Sequence, residues 1–364
     1  VLRKLGRGQF SSTWLARDSQ VEERLRYCAI KILTVYATKG HYDHNLLELE
    51  IMQTITSSIK TPYLPRLRDH FKTEGPHGQH LCLVLPVLSD SISKFRLSAP
   101  SKLLDLPKVK ILIVQIVEAL VGLHSANIIH TDIEPNNVLF NEGTDTETLN
   151  ALLDQNPLIV DGEFELNGVN YPIMRSQPIP HPFLWNNPGI IVETYPVCLT
   201  DFGTQWVYGE RPTRTISAPA LRAPEVILGA DYGTKVDIWA IGCMTFELLT
   251  GRWLFKPTRG QTWRVEDDHL AKMMELTGET FGDKTLARSC KRDEYFDKEG
   301  KLLCIGELFP RTLEEVMINY GLPEPDAASA AVFICACLQL NAEERLTAVD
   351  LLNHPWLETA YFCC

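Results

Sequence analysis

The chain has 364 residues, 45% hydrophobic and 22% charged, and its 46 Asp and Glu outnumber 35 Lys and Arg to give a net charge of −11. That length exceeds the usual reach of one hydrophobic core, so one large bilobal unit or two small domains is expected. The acidic balance disfavours direct binding to nucleic acid or an anionic membrane and suits a basic protein partner.

Val1–Arg17 reads as strand, glycine turn, strand. The turn is Leu5-Gly6-Arg7-Gly8-Gln9-Phe10-Ser11; Gly6 and Gly8 carry no side chain, so backbone there can close over phosphates, and Ser11 stands where a third glycine would complete the pattern. A strand follows the turn, and no Gly-Lys-Ser/Thr is present, which disfavours a P-loop NTPase or a dinucleotide-binding Rossmann unit. A charged hairpin containing Glu22, Glu23 and Arg24 leads into the apolar strand Tyr27–Leu33, which carries Cys28-Ala29-Ile30-Lys31. A lysine buried on such a strand needs a counter-charge, either a phosphate or a carboxylate. Glu48 is the candidate carboxylate. It lies in a helix predicted over Asn45–Ile55, at the margin of the face formed by Leu49, Met52 and Ile55, while Glu50 faces elsewhere. Leu81–Leu88, an apolar run interrupted by Pro86, reads as a buried strand leaving the sheet. Strands with one helix suit a small α+β lobe.

Beyond Leu88 the pattern turns helical, with amphipathic segments at Lys108–His124, Lys235–Leu249 (ended by Gly251), Ala327–Leu340 and Thr347–Leu352. The boundary near Ser89 divides a lobe over 1–88 from one over 89–364. Between the short strands Val138–Phe140 and Val197–Thr200 lies a spacer-like insert, 141–196, rich in proline, asparagine and acidic residues and without sustained periodicity, which reads as a long loop, either functional or disordered. No signal peptide opens the chain. Its longest apolar stretch, Ile111–Leu123, is too short to span a bilayer, so no membrane association is expected. Val1 already lies in a strand-like segment, which reads as an excised domain. The ten cysteines, with no Cys-x-x-Cys pair, read as free thiols in a reducing compartment.

Two further stretches carry chemistry. In His130-Thr131-Asp132-Ile133-Glu134-Pro135-Asn136-Asn137, an Asp and an Asn five residues apart in a rigid turn aim two oxygens at one place. Asp132 is fit to accept a hydroxyl proton and Asn137 to hold a metal. Asp201-Phe202-Gly203, after an apolar strand, offers a hard carboxylate ligand suited to Mg²⁺. With the glycine turn, the lysine strand and Ala223-Pro224-Glu225, in this order, these stretches match the protein kinase signature set. The expected fold is therefore α+β and bilobal, with a β-rich first lobe holding one key helix and a mainly helical second lobe.

Over nearly its whole length the chain resembles the SR-protein kinase family, fungal type included. The resemblance is carried by His130-Thr131-Asp132-Ile133, with threonine where most kinases have arginine, and by Trp14, Ile238-Trp239, Gly242–Leu248, Asp267–Ala271, Glu275–Gly278 and Arg345–Ala348 to His354–Leu357. The insert falls where this family places a spacer. The resemblance implies a serine/threonine kinase using ATP and Mg²⁺. Gly6, Gly8 and Ser11 would cover the phosphates; Lys31, braced by Glu48, would hold them; Leu5, Ala29, Leu85, Val87 and Leu88 would bind the adenine. Asn137 and Asp201 would ligate Mg²⁺, and Asp132 would deprotonate the acceptor. Glu225 would pair with Arg345, and Asp237 would brace the catalytic turn. The implied substrates are basic, Arg-Ser-rich proteins, bound by an acidic groove to which Asp268 and Glu275 belong, and the implied setting is control of mRNA splicing by a monomer found in cytoplasm and nucleus. With Thr131 there is no arginine to draw in a phosphorylated activation loop, so activity without that modification is expected.

The chain departs from the pattern at Glu134, where such kinases have a lysine, and at Ala218, where they have a threonine bonded to the catalytic aspartate. Pro219 and Leu221 replace polar residues, and Arg252 and Lys256 occupy positions acidic in the family. Glu134 and Ala218 feed an alternative reading: a nucleotide-binding pseudokinase or scaffold with weak phosphotransfer.

Overall fold

A computed structural model of the chain describes residues 1–18, 26–141, 143–189, 196–202, 206–207, 216–358 and 360. The charged hairpin at Glu22, Glu23 and Arg24 lies outside these residues, as do Gly203, Cys363 and Cys364. The chain divides into two units. One comprises Val1–Ile92, Leu139–Pro182 and Tyr195–Gly203, and the other Ser93–Val138, Phe183–Thr194 and Thr204–Cys364.

The first unit holds a five-stranded antiparallel sheet. Its strands are β1 (Arg3–Arg7), β2 (Ser11–Arg17), β3 (Tyr27–Leu33), β4 (Asp69–Gly75) and β5 (Gly78–Leu85), in the order β1-β2-β3-β5-β4. β5 stops at Leu85, short of Leu88, because Pro86 has no N–H to give to a neighbouring strand. Register places Ala29 opposite Leu85 and Lys31 opposite Leu83. Helix α1 (Val35–Tyr42) is capped by Thr34, whose Oγ1 accepts from the Ala37 N–H at 3.1 Å. Helix α2 (Glu48–Ser58) begins three residues later than its apolar spacing suggests, because the N–H groups of Asn45 and Leu46 both turn back to the carbonyl of Gly40. Leu46 and Leu49 then pack with Leu33, Ala37, Leu81 and Leu83 into one core, which seats the first turn of α2 against β3.

The insert is not a featureless loop. Asp145 caps a helix, Thr146–Gln155, by accepting from the Thr148 N–H at 2.8 Å. Two strands, Val160–Leu166 and Val169–Met174, pair as a hairpin. The hairpin turns at Asn167-Gly168, both with positive φ (52° and 76°), the geometry a two-residue turn needs to follow strand twist. Leu149 of the insert helix joins Leu15, Tyr27 and Ile179 in a second core, against which Leu5 and Val87 also pack. The Gln177 N–H donates to the Lys4 carbonyl at 2.8 Å, so the insert also covers the open edge of β1.

The second unit is built on two long helices. Leu106–Ser125, capped by Asp105, packs on Lys235–Thr250, which is buried from Val236 to its end. The crossing of Lys235–Thr250 with Glu324–Cys337 is close at Gly242, where a β-carbon would sit 2.8 Å from that of Cys337. Gly251 ends the central helix at φ 68°, a left-handed cap that glycine adopts without strain. Among the described residues no helix is long and apolar enough to cross a membrane. The described cysteines, from Cys28 to Cys337, are free.

Candidate functional site

The period of two along β3 puts Ala29, Lys31 and Leu33 on one face of the sheet. Lys31 is 9% exposed, and its Nζ donates to Glu48 on the first turn of α2 and to Asp201 Oδ1 at 2.8 Å. Burial alone would pull the ammonium's pKa down. Glu48 and Asp201 more than reverse this, so it lies above the ordinary lysine value and the group stays charged. Burial pushes the Glu48 carboxyl up, against the pull of Lys31 and of a hydrogen bond from the backbone of Phe202. Asp201 has φ 68°, a left-handed conformation that aspartate tolerates, and its side chain is half exposed. One cation thus sits between two carboxylates, one enclosed and one open to solvent. Nearby in sequence, the Gly8 N–H bonds the Ser11 carbonyl at 2.9 Å to close the glycine turn, and nothing lies within 4 Å of where a β-carbon on Gly6 would be.

The second unit holds the turn that carries Asp132 and Asn137. Thr131 has φ 69°, strained for a β-branched residue and of order 1–3 kcal/mol in cost. Asp237, 1% exposed, compensates: its carboxylate accepts from the N–H groups of His130 and Thr131, each at 2.8 Å, and meets His124 Nε2 at 2.9 Å. The Asn137 amide donates to both the carbonyl and Oδ2 of Asp132 at 2.9 Å, which fixes the carboxylate relative to the turn. Glu134 accepts from the side chain of Asn136 at 3.3 Å.

Ser217 is a feature that sequence reasoning passed over. Its hydroxyl donates to the Thr131 carbonyl at 2.6 Å, so the strained residue is held through its N–H by Asp237 and through its carbonyl by Ser217. Arg222 in turn holds the carbonyls of Ile216 and Ser217 at 3.2 Å. The segment is anchored further on by Glu225, whose two oxygens meet Arg345 Nη1 and Nη2 at 2.6 and 2.7 Å.

The first unit therefore assembles Lys31, Glu48 and Asp201, and the second assembles Asp132, Asn137 and Asp237. Leu5 and Val87, expected at the adenine, pack against the core that the insert completes; Leu88 follows β5 outside the strand. Among the described residues no three His, Cys, Asp or Glu side chains cluster as a metal cage. Asp201 in the first unit offers a carboxylate and Asn137 in the second an amide oxygen, each a hard donor of the kind Mg²⁺ accepts.

The protein kinase domain family matches residues 1–152 and 186–357, leaving out part of the insert. The chain is 33% identical to a serine/threonine-protein kinase SRPK of Physarum polycephalum, over 98% of this chain and 85% of that one. It is 25% identical to human SRSF protein kinase 3 (98% and 86% covered) and 26% identical to the protein kinase dsk1 of Schizosaccharomyces pombe (98% and 80%). A crystal structure of a kinase domain superposes with a TM-score of 0.68 at 21% identity, covering 98% of this chain and 94% of that one.

Proposed function

Because the chain belongs to the protein kinase family, in its SRPK-type serine/threonine branch, we propose that it transfers the γ-phosphoryl group of ATP to serine in Arg-Ser-rich proteins. The observation that carries the reading is the buried Lys31 ammonium between Glu48 and Asp201. Lys31, fixed by Glu48, holds the α- and β-phosphates. Gly6, Gly8 and Ser11 bring backbone over them. Leu5, Ala29, Leu85, Val87 and Leu88 bind the adenine. Asp201 and Asn137 each supply an oxygen donor for Mg²⁺, which when bound offsets the charge of the phosphates. Asp132, held by Asn137, orients the serine hydroxyl and takes its proton. Chemistry of this kind rests on positioning and charge neutralisation rather than on covalent catalysis by the protein. Lys31, Glu48, Asp132, Asn137 and Asp201 are all present, which favours the enzyme over the scaffold reading.

Arg-Ser preference is supported by the net charge of −11, by Glu134 beside the catalytic turn, and by relatives named for SRSF proteins. It is tested with paired peptides, one of repeated Arg-Ser and one in which glutamine replaces each arginine. The Arg-Ser peptide is expected to have the higher kcat/KM, by about tenfold or more. Equal values for the two peptides would remove the preference and leave the kinase reading intact.

Ser217 takes over part of the work of the threonine absent at Ala218, as a positioning residue acting through Thr131. Ser217→Ala is expected to lower kcat by about tenfold with KM for ATP unchanged, since the turn loosens and the nucleotide contacts do not. Ser217→Thr keeps the hydroxyl and should recover most of the loss. An unchanged kcat in Ser217→Ala would show that Asp237 alone fixes the turn.

A further inference from the structure

A groove of about 700 Å³ lies in the second unit, away from the residues of the catalytic turn. It runs from Arg96 and Lys102, past Gly251–Lys256, to the helix Val265–Thr277 and on to Arg311 and Tyr320. Six of its lining residues are cations and two are acids, Glu247 and Glu275. Two of those cations are already neutralised. Arg96 is bonded to Glu247 at 2.9 Å, and Lys272 is paired with Asp268. Asp268, expected from sequence to face a basic substrate, is instead taken up by Lys272 and by the Thr258 N–H at 2.6 Å. Glu275 accepts from the Phe309 N–H at 3.0 Å.

Four cations remain: Lys102, Arg252, Lys256 and Arg311. All are exposed, and no side chain of theirs makes an ion pair or hydrogen bond among the described residues. Against them stands the single carboxylate of Glu275. This concentration of positive charge is carried by a chain with a net charge of −11. Interleaved with the cations are exposed apolar side chains, Trp253 at 60%, Leu97 at 51% and Tyr320 at 48%. Beneath them Arg96, 7% exposed, keeps an Nε with no hydrogen-bond partner.

We propose that this groove docks an acidic peptide segment of a protein partner, its carboxylates on Lys102, Arg252, Lys256 and Arg311 and its apolar side chains on Trp253, Leu97 and Tyr320. The charge of the groove selects the sign of the occupant, and the apolar surfaces between the charges select a peptide over a nucleic acid. A basic Arg-Ser segment is repelled here. Recognition is therefore divided between a basic acceptor region at the catalytic turn and an acidic segment in the groove.

The test is direct binding, measured without ATP on the Asp132→Asn chain, so that it stands apart from phosphotransfer. The probe is a fluorescein-labelled peptide of alternating glutamate and leucine, compared with its lysine-leucine counterpart and with a labelled oligothymidine. The acidic peptide is expected to bind, more weakly as salt is raised. Combined Arg252→Glu and Lys256→Glu should weaken it by about tenfold or more, and Lys102→Glu should weaken it in the same sense. These side chains are exposed and make no ion pair or hydrogen bond among the described residues, so the variants are expected to fold, which circular dichroism checks. The proposal is overturned if the lysine-leucine peptide or the oligothymidine binds as tightly as the acidic peptide, or if the charge-reversed variants bind it unchanged.

Discussion

Replacing Lys31 with methionine is expected to lower kcat/KM for phosphotransfer by about 100- to 1000-fold, the scale of losing one charged donor from a pre-organised site. The loss has two parts. The phosphates lose the cation aimed at them, and Glu48 and Asp201 lose the charge that lets them share one small volume. Without the ammonium, Glu48, whose carboxyl burial already pushes up, takes a proton at still higher pH and releases α2 from β3. Lys31→Arg preserves the charge but spreads it over a planar fork, which does not fit a pocket shaped for one nitrogen between two carboxylates, so it should recover little activity. Steady-state kinetics with ATP varied makes the comparison. A variant as active as the parent chain would mean that phosphate is held elsewhere.

The largest effect on stability is expected at Arg345, which is 1% exposed. Its guanidinium spends Nη1 and Nη2 on Glu225, donates through Nε to the Gln339 carbonyl at 2.7 Å and through Nη1 to the Lys235 carbonyl at 3.1 Å, and lies over the Trp239 ring. Arg345→Ala strands a buried carboxylate and two carbonyls, and should cost about 3–5 kcal/mol. Arg345→Met combined with Glu225→Leu removes both charges and keeps the volume, so the double variant should be more stable than either single one. Denaturant unfolding of the four proteins gives the comparison. Additive losses would show that the two side chains act independently, against the geometry.

Much of this arrangement was legible because chemistry constrains it tightly. A lysine on an apolar strand demands a carboxylate, and the helical spacing of Leu49, Met52 and Ile55 left Glu48 to supply it. β4 was missed because six of its seven residues are exposed, so it carries no apolar alternation and is held by backbone pairing to β5. The insert misled for a different reason. Its helix buries only Leu149 and its hairpin almost nothing, so no strong periodicity marks either, although the Asp145 cap and the Asn167-Gly168 turn were there to be read. The role of Ser217 follows from a hydrogen bond between residues 86 positions apart, which no local pattern encodes. The sign of the groove was half visible in Arg252 and Lys256. What composition could not reveal is that Lys272 and Thr258 take up Asp268 while the four cations have no side-chain ion pair among the described residues.

On the proposed function, transfer to a hydroxyl depends on Asp132, and its substitution by asparagine keeps the size of the side chain and one acceptor oxygen while removing its capacity to take a proton. Phosphate incorporation from labelled ATP into an Arg-Ser peptide, measured side by side for the parent chain and Asp132→Asn, is therefore the decisive comparison. The parent chain should transfer phosphate at a rate about 100-fold or more above the variant, with ATP binding alike in both. Equal incorporation by the two, or none by the parent chain with ATP bound, would contradict the assignment.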